Sequence, residues 1–144
     1  IQIMDASVER MKQQKFGRIL TITSSGIVQP IPILAVSNTL RASLAAYSKT
    51  LADQVIADNI TVNIIMPGRI HTERVDELDA AQSEKQGKPV NDIQDSAKAL
   101  IPAGRYGKPE EFAAVATFFL SEPAGYATGN LLRVDGGAIK GIWA

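Results

Sequence analysis

Three polar residues follow the first strongly apolar segment of the chain at spacings that place them near one another. Ser24 ends the segment RILTITS, Ser37 lies thirteen residues later, and Arg41 follows after four more. A spacing of four puts Ser37 and Arg41 on one face of a helix. Serine hydroxyls and a guanidinium bind and orient polar groups, but neither titrates near neutral pH. This set therefore predicts binding and orientation rather than proton transfer.

A second candidate segment, Pro67-Gly68-Arg69-Ile70-His71-Thr72, directly follows the apolar run ITVNIIM. Proline and glycine end a strand there, so a simple turn also explains the segment. His71 is the only histidine of the chain, and histidine is the residue type most often used for proton transfer, which makes it a candidate proton donor. An exposed loop histidine without a catalytic role is the alternative interpretation.

Composition excludes several classes of function. The 144 residues are 45% hydrophobic and 21% charged, and fifteen basic residues balance fifteen acidic ones. Such a chain has no net field to gather nucleic acid or anionic lipid. It has no cysteine and one histidine, so we expect neither disulfides nor a metal site. We expect no membrane span and no signal segment, and therefore a cytoplasmic protein.

The hydrophobic pattern predicts helices and strands in alternation. They are a helix over 1–14, a strand over 18–24, a helix over about 37–56, a strand over 60–66, a helix beginning near Lys108 and a short strand within 130–137. In the second helix Leu40, Leu44, Leu51 and Val55 form a stripe that should face the sheet. This alternation is typical of an α/β fold whose parallel strands are joined by right-handed crossovers.

Three strands are few for such a sheet. Strand 18–24 is apolar enough to be covered on both faces, yet this chain offers it too few neighbours. Ile1 is not an initiator residue, and Ile1, Met4, Val8 and Met11 already mark one face of a helix, so we expect further chain before Ile1. These features favour the C-terminal half of a doubly wound, Rossmann-type sheet over a small complete α/β binding module.

Four strings, in order, resemble the second half of the short-chain dehydrogenases/reductases, in particular the members similar to 3-oxoacyl-acyl-carrier-protein reductase. They are GRILTITSS, VNIIMPGRIHT, PAGRYGKPEEFAAVATFFLSEPAGYATG and VDGG. The resemblance implies that residues 1–144 are the C-terminal portion of a single Rossmann-type domain. It also implies NAD or NADP as cofactor, a small carbonyl or alcohol substrate, a separate N-terminal half of the fold, and a homodimer or homotetramer. The glycine-rich dinucleotide motif of that family is absent from this chain.

The resemblance also assigns roles to residues. Ser24 matches the serine that orients the substrate carbonyl, whereas the family's tyrosine and lysine positions fall on Ser37 and Arg41. Arg41 would retain the lysine's contact with the cofactor ribose. The loop residues implied to bind the cofactor are Pro67, Gly68, Ile70 and Thr72. Tyr47 lies ten residues beyond Ser37, about 15 Å along the helix, so it is too far away to replace the tyrosine.

Two functions remain open at this point. One is an NAD(P)-dependent oxidoreductase with an atypical active site, in which the polar segment of about 70–103 covers the substrate. The other is a catalytically impaired relative that binds a nucleotide or ligand or serves as an assembly subunit. The replacement of a tyrosine by Ser37 motivates the second.

Overall fold

Three parallel strands form the sheet of the protein, for which a computed structural model describes residues 1–142. In the order in which they pair, they are β1 (Gly17–Ile22), β2 (Ile60–Pro67) and β3 (Leu131–Val134). The helices are α1 (Gln2–Gln14), α2 (Ala35–Val55), α3 (Glu73–Gln86), α4 (Val90–Ala99) and α5 (Pro109–Leu120). The segments rich in β-branched residues thus form the strands, as their pattern predicts.

Helices α1 and α2 cover one face of the sheet. Alternate residues of β2 point toward them, because side chains along a strand alternate between its two faces. This side of the core contains Val8, Leu51, Ala52, Val55, Ile60 and Val62 in one cluster and Ala45, Ile64 and Met66 in a second. The central strand β2 is buried along nearly its whole length, as expected of a strand covered on both sides.

Helix α5 covers the opposite face. Arg18 points away from the α1 side, and its Nε donates to the carbonyl oxygen of Ser121, at the end of α5, at 3.0 Å. The connections from β1 to β2 and from β2 to β3 step across the sheet in the same direction but place α2 and α5 on opposite faces. The two crossovers therefore have opposite hands, so the expectation of right-handed crossovers holds for only one of them.

The outer edge of β1 has no strand beside it among residues 1–142. Ile22, near the end of that edge, is 56% exposed. Leu40 is 64% exposed, so the prediction that it faces the sheet is wrong, although Leu51 and Val55 of the same stripe are buried. Half of a doubly wound fold is expected to have such an open sheet edge and an exposed apolar helix start. The prediction of the C-terminal half of a Rossmann-type fold is confirmed.

Residues 70–103 are more ordered than their weak periodicity suggests, because α3 and α4 account for most of them. The start of α2 at Ala35 also lies before the predicted start at about 37, and β1 ends at Ile22, before Ser24. Within residues 1–142 no helix has the length and apolar character needed to cross a bilayer.

Candidate active site

Arg41 joins the two predicted serine positions at the carboxyl end of β1. Its Nε donates to Ser37 Oγ, one helical turn away, at 3.3 Å. Its Nη1 donates to the carbonyl oxygen of Thr23, next to Ser24, at 3.4 Å. The structure thus brings Ser37 and Arg41 to the end of the strand that carries Ser24, as the spacing predicts. Both hydrogen bonds are long, at the outer limit of the usual range.

Ser24 begins a single 3-10 turn over Ser25–Ile27 that leads the chain away from β1. Its Oγ accepts a hydrogen bond from the Gly26 amide at 3.1 Å. A Cβ on Gly26 would lie 2.5 Å from Asn38 Oδ1, so only glycine lets this turn approach α2 so closely. The turn therefore fixes the position of Ser24 relative to the start of α2.

Asn38 was missed by the sequence reasoning, although it helps to hold the loop between Ser24 and α2. Its Nδ2 donates to the carbonyl oxygen of Ile31 at 3.0 Å and so ties the proline-containing loop to the first turn of the helix. Asparagine side chains often bond to nearby backbone at helix starts, which is the signal that could have identified it.

An open cavity of about 730 Å³ lies beside Ser37 and Arg41. Apart from these two polar residues, its lining side chains are apolar: Ile33, Leu34, Ala35, Val36, Leu40 and Leu44. A site of this character combines an apolar wall with a few polar groups that orient a ligand.

The predicted cofactor loop leaves β2 at the same edge of the sheet. Thr23 N donates to the carbonyl oxygen of Ile65 at 3.0 Å, so Ser24 lies beside the last residues of β2. Gly68 N donates to the carbonyl oxygen of Val134 at 2.9 Å. A Cβ on Gly68 would lie 2.6 Å from the Cα of Asp135, so this position requires glycine. Pro67 and Gly68 thus end the strand as predicted.

Ile70 and Thr72 follow in a loop that pairs with a distant segment. Gly107 N donates to the Arg69 carbonyl at 2.9 Å and His71 N donates to the Gly107 carbonyl at 2.8 Å, which forms a single bridge opposite Ile70. Thr72 is the residue before the first turn of α3 and is exposed, and its hydroxyl makes no capping bond to that helix.

Neither side chain considered as a replacement proton donor reaches the serines. His71 is exposed, and its Nε2 lies 3.2 Å from Asp76 Oδ1 on α3. Tyr47 packs against the α1 side of the core, and its hydroxyl hydrogen-bonds Asp5. This hydrogen bond, together with partial burial, raises the pKa of Tyr47. Tyr47 is thus a packed tyrosine and holds its proton more tightly than a free phenol does.

A buried polar network lies next to the loop and was not foreseen from the sequence. Arg69 Nη1 donates to Asp79 Oδ1 at 2.5 Å and to Tyr106 Oη at 3.0 Å, and Tyr106 Oη donates to Asp79 Oδ2 at 2.8 Å. Asp79 is completely buried and Tyr106 nearly so. Burial, followed by the bond to Asp79, raises the pKa of Tyr106.

Curated proteins similar to this chain include reductases. It is 35% identical over 132 residues to the NADPH-dependent reductase BacG of Bacillus subtilis (strain 168), covering 92% of this chain and 51% of that protein. It is 36% identical to the 3-oxoacyl-[acyl-carrier-protein] reductase FabG of Aquifex aeolicus (strain VF5), covering 91% of this chain and 48% of FabG. The chain thus spans about half the length of the curated relatives it matches.

Solved structures of similar proteins share the fold. YwfH, described as an NADPH dependent reductase involved in bacilysin biosynthesis, superimposes with a TM-score of 0.86 at 35% identity, over 92% of this chain and 50% of YwfH. L-sorbose reductase from Gluconobacter frateurii, complexed with NADPH and L-sorbose, gives 0.85 at 34% identity, over 94% of this chain and 52% of that one. Residues 1–138 also match the family model described as Enoyl-(Acyl carrier protein) reductase. The chain therefore belongs to the short-chain dehydrogenase/reductase family and resembles its 3-oxoacyl-acyl-carrier-protein reductases.

Proposed function

We propose that the whole protein, made of this chain and the N-terminal half of the fold, is an NAD(P)-dependent oxidoreductase that interconverts a small carbonyl compound and its alcohol. One observation carries the proposal: Ser24, Arg41 and the Pro67–Thr72 loop meet at a single edge of a parallel sheet. The carboxyl edge is where open α/β sheets bind their ligands. Relatives named as NADPH-dependent reductases support the choice of cofactor.

Ser24 would polarise the substrate. The Gly26 amide occupies one lone pair of Ser24 Oγ, which leaves the serine proton free to donate to a carbonyl oxygen. Such a hydrogen bond strengthens as negative charge develops on that oxygen during reduction. The apolar cavity beside Ser37 would hold the rest of the substrate.

The loop after β2 suits a carboxamide. The bridge to Gly107 uses the Arg69 carbonyl and the His71 amide, so the amide and carbonyl of Ile70 point away from Gly107. Neither group of Ile70 has a hydrogen-bond partner among residues 1–142. A carboxamide needs one donor and one acceptor, and Ile70 offers both. The free hydroxyl of Thr72 would bind a diphosphate oxygen, and the donors of Arg41 not engaged by Ser37 and Thr23 would bind ribose hydroxyls.

The nicotinamide, when bound, supplies or accepts the hydride. During reduction the carbonyl oxygen takes a proton from a water molecule held by Ser37 and Arg41, and the resulting hydroxide is neutralised by solvent. Because Arg41 Nε donates to Ser37 Oγ, the serine's own proton is free to orient this water. No proton transfer is assigned to His71, whose Nε2 lies 3.2 Å from Asp76 on α3.

A second function, cofactor or ligand binding without turnover, is favoured by Ser37 itself. A serine hydroxyl is much less acidic than a phenol, and it is shorter by the length of a ring. General acid catalysis by a positioned side chain typically contributes about 10²- to 10⁴-fold in rate. A protein without that contribution can bind a cofactor and still turn over very slowly.

We also propose pairing of whole proteins through the outer surfaces of α1 and α2, which would give a homodimer or homotetramer. Ala42 and Ala46 are exposed on α2 and leave a smooth surface, whereas Ala45 and Ala52 are already buried within the chain. Light scattering that shows a strict monomer would contradict this assembly.

Activity and binding separate the two functions. The whole protein is titrated with NADPH and NADH by cofactor fluorescence, and oxidation of each is followed by absorbance across a panel of aliphatic ketones and aldehydes. We expect turnover that falls about a hundredfold in Ser24→Ala. The matched control is Ser43→Ala, which removes an exposed hydroxyl bonded to the Leu40 carbonyl of the same helix. Binding without turnover would support the non-catalytic function, and no binding would contradict both.

A further inference from the structure

Helix α3 is attached to the rest of the protein in an unusual way. Among its fourteen residues, all of them described, Asp79 is the one that is buried. Val75 and Ser83, one turn before and after it on the same face, are only half-buried. Most surface helices are held by an apolar stripe. This helix is instead held by a carboxylate.

The carboxylate of Asp79 is fully paired. Each of its oxygens accepts one hydrogen bond, Oδ1 from Arg69 and Oδ2 from Tyr106, and these two donors are themselves hydrogen-bonded to each other. Burial disfavours the charge of Arg69, but its hydrogen bonds to Asp79 and Tyr106 outweigh this effect and raise the pKa of the guanidinium. The three groups thus form a closed ring of three hydrogen bonds around the fully buried Asp79.

The ring and the backbone bridge join the same two segments. The ring uses the side chains of Arg69 and Tyr106, and the bridge pairs the next residue of each segment, Ile70 with Gly107. Asp79 adds α3 to this connection. A shift of α3 would therefore pull on Arg69 and hence on the adjacent Ile70.

We propose that Arg69, Asp79 and Tyr106 form a latch that locks α3 onto the loop after β2 and sets the position of Ile70 and Thr72. They are positioning residues, since none of them needs to touch substrate or cofactor. The effect on cofactor rests on the function proposed above, whereas the latch itself does not.

The latch predicts local rather than general loosening when it is broken. Asp79→Asn removes a fully buried carboxylate and leaves Arg69, whose side chain is 41% exposed, without its counter-charge. This costs more than the loss of a pair that is exposed on both sides. Because α3 has no apolar stripe to keep it in place, the strain is relieved by opening of α3. The strand β2, which is buried in the apolar clusters against α1 and α2, should be unaffected.

Hydrogen exchange of the whole protein without cofactor tests the latch. In Asp79→Asn we expect amides of α3 and the His71 amide to exchange about tenfold faster, with no change in β2. The matched control on the same helix is Glu77→Gln, which breaks an exposed pair with Arg74 at 2.9 Å and should change exchange by less than about twofold. Tyr106→Phe removes only a neutral hydroxyl and should accelerate exchange about fivefold.

Several results would overturn the proposal. If the α3 amides exchange at the same rate in Asp79→Asn as in Glu77→Gln, the ring of Arg69, Asp79 and Tyr106 does not hold α3 in place. Equal acceleration in α3 and β2 would show a general contribution to stability and no latch. If Asp79→Asn fails to fold, Tyr106→Phe is used instead, because it disturbs the fold least. An exchange rate of the α3 amides that is unchanged from wild type in Tyr106→Phe rules the latch out.

Cofactor kinetics then test the positioning role. If the whole protein turns over, Tyr106→Phe should raise the KM for NADPH or NADH severalfold while the KM for the carbonyl substrate changes little. A uniform fall in kcat with both KM values unchanged would contradict positioning of the cofactor loop. If the whole protein binds no cofactor, the proposed function fails, and the exchange experiment still stands as the test of the latch.

Discussion

The two sides of the candidate site are built in different ways. On the side of the loop after β2, three features fix the chain. They are the backbone bridge between Ile70 and Gly107, the charged ring around the buried Asp79, and Gly68, where an added Cβ would lie 2.6 Å from the Cα of Asp135. On the side of α2, Arg41 makes two hydrogen bonds of 3.3 and 3.4 Å, and Ser37 borders an open apolar cavity.

This difference shows which positions tolerate replacement. Changes on the loop side would disturb packing and buried charge, so residues there are constrained by the fold as well as by function. Ser37 and Arg41 support little of the fold, because one lines open space and the other is exposed. A tyrosine and a lysine at these positions could therefore be replaced while the sheet and the loop stayed intact.

The sharpest test of the comparison is to introduce, on the α2 side, the tyrosine and lysine that we propose the family has at positions 37 and 41. Ser37→Tyr with Arg41→Lys would place a phenol in the open cavity and an ammonium one turn away, where it lowers the phenol pKa. If the loop side is intact, as proposed, carbonyl reduction by the whole protein should rise about 10²- to 10⁴-fold. Steady-state kinetics with NADPH and a ketone panel measure the change.

The control for this pair is Ser37→Phe with Arg41→Lys, which adds the same ring without its hydroxyl and should leave turnover unraised. If the variant binds cofactor but its turnover does not increase, the α2 side lacks more than the acidic hydroxyl of a tyrosine. A variant that binds cofactor less tightly than the wild type would show that Arg41 had been adapted to its position.

How well the sequence predicted each side depends on the distance between partners along the chain. Ser37 and Arg41 are one helical turn apart, so their contact follows from spacing alone. Arg69 is separated from Asp79 by ten residues and from Tyr106 by thirty-seven, with α3 and α4 between. No local pattern encodes such a meeting, and acidic residues in a polar helix ordinarily indicate a solvated surface.

The error at Leu40 has a related cause. Helical periodicity correctly identifies the apolar face of α2, but it does not tell which part of that face this chain covers. The sheet is long enough to cover Leu51 and Val55, while Leu40 lies beyond it and is exposed. Leu40 instead lines the open cavity beside Ser37.

A second prediction concerns the steric constraint on the loop side. Gly68→Ala would force a methyl group against the backbone of Asp135, and we expect it to lower the free energy of unfolding by about 3 kcal/mol. Gly87→Ala is the matched control, because Gly87 has a φ of +62° with no atom within 4 Å of the added methyl group. It should cost only about 1 kcal/mol, from backbone strain. Urea denaturation of the whole protein measures both, and equal losses would argue against the steric constraint.

The smallest expected effect concerns Glu111, which supports the segment beyond the latch. Its carboxylate accepts hydrogen bonds from both terminal nitrogens of Arg105, at 2.6 and 2.8 Å, and from the Lys108 amide at 2.7 Å. The bonds from Arg105, and then the one from Lys108, lower the pKa of Glu111 from 4.5 to about 2. Because the folded-state pKa lies below the ordinary one, the stabilisation is fully present above about pH 4.5 and is lost as the pH falls toward 2.

Glu111→Gln should therefore remove part of the acid sensitivity. Compared with wild type, its free energy of unfolding should be lower at pH 7 and should decline less between pH 4.5 and 2, as measured by urea denaturation at a series of pH values. Glu110→Gln, one residue earlier in the same turn of α5, controls for the loss of a negative charge near the helix start. If both variants change the pH dependence of the unfolding free energy equally, the effect comes from the helix dipole. In that case the pairing of Arg105 with Glu111 does not anchor the segment that carries Tyr106 and Gly107.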